Sequence, residues 1–173
     1  NLKEPNIVAI KKIELEQNIF SPCHLFDIFT EITALESFRL ENCVTQLFDY
    51  GCDEENYYIV MKRYPISLKQ WRIKQTLPFT EMLPTYLSIF KDILEAVKII
   101  HTMNTTHYDI KCDNIVIDFL PNNNTNCSKD LSNTTGNEDD ICIRVADFGE
   151  CRIFLNEKDE YCTRSRGTDV IKS

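Results

Sequence analysis

A chain of 173 residues, 43% hydrophobic and 27% charged, has the composition of a globular fold of one domain or one and a part. Its net charge of −8 argues against a nucleic-acid or membrane surface as the main partner. No apolar run approaches the length that spans a bilayer, and the opening "NLKEPNIVAIKK" is too short and too closely flanked by charge for a secretory signal.

In chain order, "NIVAIKKI" (residues 6–13) predicts a strand. Residues 21–38 predict a helix, with Ser21 as N-cap, Pro22 at the first helical position, and Leu25, Ile28, Phe29, Ile32, Leu35 and Phe38 at helical spacing. "CVTQLFDYG" and "NYYIVMKRY" predict a hairpin about the acidic turn "CDEE". Pro65 then forces an extended backbone on Tyr64. Helical patterning begins at Leu68, and Tyr86, Phe90, Ile93, Leu94, Val97 and Ile100 predict one apolar face. A polar loop, "THYDIKCDN", and a short strand, "NIVID", follow. Residues 119 to about 140 are Asn-rich and aperiodic, which predicts an insertion without order. A strand "ICIRVA", then "DFG", then a charged segment complete the chain. A strand-rich front and a helix-rich back about a proline hinge predict an α+β fold in two lobes, 1–64 and 65–173.

Eight cysteines, at 23, 43, 52, 112, 127, 142, 151 and 162, make no C-x-x-C pair, and three histidines offer no zinc spacing. They read as scattered reduced thiols of a cytoplasmic, or nuclear, protein.

Four features could carry chemistry. Lys11 shares a strand face with the small Ala9, so it is either a surface lysine or a cation fixed beside a cleft. Glu31 lies on the stripe of Ile28 and Leu35, where a carboxylate needs a cation unless the helix edge is exposed; Glu36, about 140° around the helix, is the more solvent-facing acid. Asp109, Lys111 and Asn114 form D-x-K-x-x-N in the loop, and Asp147-Phe148-Gly149 follows a strand. Each of these two alone reads equally as a polar turn. In this order they make a kit for phosphoryl transfer, which needs held phosphates, offset charge and a placed hydroxyl. Asp147 and Asn114 offer the hard oxygens that Mg²⁺ prefers.

On these motifs the chain resembles a eukaryotic protein kinase catalytic domain. "VAIK" is similar to the third-strand motif, "EITAL" to the C-helix with Glu31 as partner of Lys11, "HYDIKCDN" to the catalytic loop, and "DFG" to the metal-binding turn. The resemblance implies that Lys11 contacts ATP phosphates, Asp109 acts as base or orients the acceptor hydroxyl, Lys111 steadies the γ-phosphate, and Asn114 and Asp147 bind Mg²⁺. It implies that Met61 is the gatekeeper, that the Lys62 carbonyl and Tyr64 N–H read the adenine, and that Ala9 and Val116 line the nucleotide. Gly167 and Thr168 resemble the substrate lip, and Lys111 with Thr168 resembles Ser/Thr-specific members. Leu35, Leu47, His107 and Phe148 match a stack that joins the lobes, so His107 packs beneath Phe148 and is no base.

The resemblance has departures. The chain starts at the third strand with no Gly-rich loop and stops at Ser173, short of Ala-Pro-Glu, as a kinase fragment would. Tyr108 stands where an arginine usually follows the loop histidine, which implies that a phosphate on Thr163 or Ser165 is not the main on-switch. The expected partners are ATP and a protein substrate. A pseudokinase or inactive truncated fragment acting as a binding module is the alternative, and a small-molecule kinase is disfavoured by the Asp-Phe-Gly and Gly-Thr pair.

Overall fold

The computed structural model describes residues 7–15, 22–119 and 141–154. Ser21, most of the expected insertion (120–140), and Thr163, Ser165, Gly167 and Thr168 lie outside them. Among the described residues no helix is long and apolar enough to cross a membrane.

β1 (Val8–Glu14) alternates along its length. Ala9, Lys11 and Ile13 are half-buried on one face, while Val8 and Ile10 are exposed on the other. α1 (Pro22–Ser37) buries Ile28, Glu31, Ile32, Ala34 and Leu35, and Phe38 is buried just after it. Phe29, expected on that stripe, is instead mostly exposed, its ring edge-on to Tyr57 at 5.8 Å.

β2 (Leu47–Cys52) and β3 (Asn56–Lys62) form the expected hairpin, and the sheet order is β1-β3-β2, antiparallel throughout. Asp53 pins the turn: its carboxylate accepts the N–H groups of Glu55 and Asn56 at 2.8 and 2.7 Å and the Tyr58 hydroxyl at 2.7 Å. Those bonds, Tyr58 first, push the Asp53 carboxyl down to about 2.

Past Pro65 the chain turns helical. β4 (Ile66–Ser67) leads into α2 (Leu68–Lys74), capped by Ser67, whose hydroxyl accepts the Gln70 N–H while Gln70 Oε1 accepts the Ser67 N–H. α3 (Phe79–Thr102) packs against β7 (Ile141–Val145). Between them in sequence come β5 (Thr105–Thr106) and β6 (Ile115–Phe119), and β8 (Arg152–Ile153) ends the described chain. The antiparallel sheets here are β4-β6-β7 and the two-stranded β5-β8.

Two further expectations need correction. α3 buries Met82, Thr85, Ile89, Ala96 and Ile100, whereas Phe90 and Leu94 are exposed. Thr85 and Ala96 are small, so the inward face of α3 carries less apolar bulk than the sequence pattern suggests. Phe119 also belongs to β6, paired with Ile141, and not to the insertion.

The architecture is α+β: a sheet with one helix in front, helices with small sheets behind. The loop after α1 joins the two parts. Thr45 N–H donates to the Val145 carbonyl at 2.9 Å and Val145 N–H to the Cys43 carbonyl at 2.8 Å, with a parallel bridge from Val44 to Val145. Phe38, Leu47, Ile59, Ile115, Val145 and Phe148 are fully buried around this junction. Each such side chain contributes roughly 1.5–3 kcal/mol on burial.

Candidate active site

Lys11 Nζ donates to both carboxylate oxygens of Glu31, at 2.8 and 2.9 Å, and to Asp147 Oδ1 at 2.8 Å. β1 aims Lys11 inward opposite Ile59, and α1 aims Glu31 along the buried stripe, leaving its side chain 3% exposed. Burial pushes the Glu31 carboxyl up, and Lys11 draws it partly back. On Lys11 burial acts downward, but the two carboxylates outweigh it and hold the ammonium above its usual value. On Asp147 burial acts upward and is outweighed by Lys11, so its carboxyl lies below its usual value. Lys11 is thus a cation held between two anions.

The Asp-Phe-Gly turn has its left-handed residue at Asp147, with φ 60°, and not at glycine. Gly149 is needed for space. A Cβ there would lie 3.2 Å from Lys11 Nζ and 3.4 Å from Asp147 Oδ1.

In the polar loop Asp109 and Asn114 are buried. Lys111 Nζ donates to Asp109 Oδ2 at 2.7 Å, which raises the lysine above its usual value. Asn114 Nδ2 donates to Asp109 Oδ2 at 2.9 Å and to its carbonyl at 3.0 Å. With the nitrogen committed, the Asn114 side chain has its oxygen left to offer a cation. Two further bonds hold the turn against the loop: Ala146 N–H donates to the Asn114 carbonyl at 2.8 Å, and His107 Nε2 donates to the Ala146 carbonyl at 3.0 Å. Asp147, next in sequence, is carried to the loop by that pairing.

His107 is buried, with its ring 4.7 Å from that of Phe148, which also lies 5.4 Å from Phe38. Its Nδ1 accepts the Asp109 N–H at 3.2 Å, so the tautomer is fixed with the proton on Nε2. Burial pushes its pKa below the usual histidine value. Leu35, Leu47, His107 and Phe148 are all buried.

Ala9 and Met61 are register partners across β1 and β3, both half-buried, and Lys62 closes β3. Val116 lies on β6 opposite Arg144. Pro65 follows Tyr64 directly, so the Tyr64 N–H is the last backbone donor before the proline.

The residues fit a nucleotide–magnesium pair. Asp147 Oδ1 is engaged by Lys11, its carboxylate also accepts the Gly149 N–H, and the Asn114 nitrogen is engaged by Asp109; a carboxylate oxygen has lone pairs beyond these bonds and the Asn114 oxygen is an acceptor, so both side chains suit a metal. Among the described residues no group of three or more His, Cys, Asp or Glu makes an all-protein metal cage. One carboxylate and one amide oxygen suit Mg²⁺, which keeps phosphate and water in its shell. Gly149 keeps the space beside Lys11 free of a side chain.

Three participants were not visible in the sequence. These are the contact of Asp147 with Lys11, the crowding at Gly149, and Asp118, which accepts from Lys62 and Arg144. All three are contacts between residues distant in sequence, which no local pattern encodes.

A family model described as the protein kinase domain matches residues 1–170. A probable serine/threonine-protein kinase of Dictyostelium discoideum is 42% identical over 166 residues, covering 96% of this chain and 7% of that protein. The meiosis induction protein kinase of Saccharomyces cerevisiae is 30% identical over 160 residues, covering 90% of this chain and 23% of that protein. A mitogen-activated protein kinase of Caenorhabditis elegans is 30% identical over 164 residues, 91% of this chain and 30% of that protein. The chain therefore spans less than a third of the length of each of these relatives.

Proposed function

The chain belongs to the protein kinase domain family, and on that premise we propose that the protein transfers the γ-phosphoryl group of ATP to serine or threonine hydroxyls of protein substrates. The observation that carries this proposal is the joining of two clusters, Lys11–Glu31–Asp147 and Asp109–Lys111–Asn114, through the Ala146 hydrogen bonds. A binding module has no need to bring a fixed cation, a buried carboxylate and two metal-type oxygens together.

Each side chain has a task. Lys11, aligned by Glu31, holds the α- and β-phosphates, and Asn114 and Asp147 would hold Mg²⁺. When bound, the metal offsets the charge of the phosphates. Asp109 accepts a hydrogen bond from the incoming hydroxyl, aims its oxygen at the γ-phosphorus, and takes its proton as the new O–P bond forms and the bond to ADP breaks. Lys111, already bonded to Asp109, steadies the γ-phosphate. Adenine bonds to the Lys62 carbonyl and the Tyr64 N–H, with Met61 as gatekeeper and Ala9 and Val116 as apolar walls. Gly167 and Thr168 receive the substrate. A cytoplasmic or nuclear location belongs to the same proposal.

The test uses the full-length protein with Mg·ATP and a general protein substrate, followed by phosphoamino-acid identification. Phosphoserine or phosphothreonine is the expected product. Phosphotyrosine alone contradicts the residue class, and absence of any product contradicts the activity.

A further inference from the structure

Behind residues 62–65, which run from β3 to β4, Asp118 on β6 gathers residues from both parts of the fold. Its Oδ2 accepts from Lys62 Nζ at 2.8 Å and from Arg144 Nε at 3.3 Å. The Asp118 and Arg144 side chains are only 15% and 14% exposed. Both cations also lie over the Tyr64 ring, at 5.3 and 5.7 Å from its centroid. Two cations sharing one ring repel each other unless an anion stands with them, and Asp118 is that anion. Sheet register accounts for the placement: Val116 and Asp118 share a face of β6, and Arg144 stands opposite Val116 on β7.

The same residues are tied forward. The Tyr64 hydroxyl accepts the Gln46 N–H at 3.2 Å, and the Lys62 N–H donates to the Gln46 carbonyl at 2.9 Å. Arg144 Nη1 donates to the Asn42 carbonyl at 2.7 Å. Lys62 and Tyr64 are thus held from behind by β6 and β7 and from the side by the loop after α1.

We propose that Asp118 is a positioning residue for nucleotide binding: by fixing the Lys62 and Arg144 side chains about Tyr64, it sets the spacing of the Lys62 carbonyl and the Tyr64 N–H. This rests on the assignment of those two backbone groups to the adenine, made above. Asp118 itself touches no nucleotide. Without its carboxylate, Lys62 is free to turn toward solvent and Arg144 keeps only its other contacts. Residues 62–64 then gain freedom that nucleotide binding has to remove.

The test is ATP affinity of the full-length protein, measured by titration calorimetry with Mg²⁺, beside the ATP KM and kcat. Asp118→Asn is expected to weaken ATP binding about tenfold and to raise KM in proportion, with kcat at saturating ATP kept. Lys62→Met breaks the same pair from its more exposed end, and decides the matter alone if Asp118→Asn fails to fold. Its expected loss is similar, and the double variant is expected to be no weaker than either single one, because the two residues act as a unit. Unchanged affinity, losses that add in the double variant, or a fall in kcat with KM unchanged each overturn the proposal. Wild-type protein that binds no ATP removes the adenine assignment and this inference together, whereas wild-type binding that the variants leave intact removes this inference alone.

Discussion

Glu31 holds Lys11 with both carboxylate oxygens, across the gap between a helix and a strand, with its own side chain almost fully buried. Removing one partner of such a pair leaves the other charge buried without compensation. Lys11→Met is therefore expected to lower phosphoryl transfer by about a hundredfold or more and to lower the unfolding midpoint as well. Glu31→Gln, which keeps the shape, is expected to lose activity with a smaller loss of stability. Rates and thermal melts of the two variants side by side check this.

Gly149 serves the same cation by staying small. Alanine there brings a methyl group to 3.2 Å from Lys11 Nζ, the far end of a flexible side chain that gives way by a few tenths of an ångström. Gly149→Ala is expected to fold with nearly unchanged stability and to lose about tenfold in rate, since small displacements of the lysine proposed to hold the phosphates are costly. A melt and a rate measurement on one preparation separate the two effects.

His107 gives the fold a pH dependence of known sign. Its folded pKa is below the usual histidine value because burial disfavours the charged ring. The stability it contributes is complete above the unfolded value of about 6.5 and is lost as pH falls from there through the folded value, because the unfolded chain takes up the proton first. Denaturant midpoints of the wild-type protein are expected to fall as pH drops below that value. His107→Gln is expected to be less stable at neutral pH and to show a flatter slope over the same interval.

Tyr108 is exposed and holds φ 64° in the loop where an arginine usually receives an activating phosphate. Replacing Thr163 and Ser165 together by alanine is expected to leave most of the proposed transfer activity of the full-length protein in place. Loss of activity in that double variant, with recovery by acidic residues, contradicts the expectation. The check is an initial-rate comparison of the three proteins.

Much of this was legible in the sequence, for physical reasons. The alternation on β1 puts Lys11 on the face of Ala9 but does not say which of the two faces turns inward, and the larger Val8 and Ile10 are the exposed ones. The stripe of Ile28 and Leu35 made Glu31 a candidate for burial without deciding it, since Phe29 on the same stripe is exposed. α3 was harder: Phe90 and Leu94 are larger and more apolar than Thr85 and Ala96, yet the smaller pair is buried. Bulk marks a helix face poorly when neighbouring faces are both apolar. The Asp118 cluster was not legible at all, because it joins residues 62, 118 and 144 through sheet register.

The most direct measurement is phosphoryl transfer by the full-length protein set against its Asp109→Asn variant, with ATP affinity measured on both. Asp109 is buried, bonded to Lys111 and Asn114, and assigned to the acceptor hydroxyl, not to the adenine. Similar ATP affinity is expected in the two proteins, with a transfer rate in the variant lower by about two to four powers of ten. Equal transfer by both proteins would contradict that assignment.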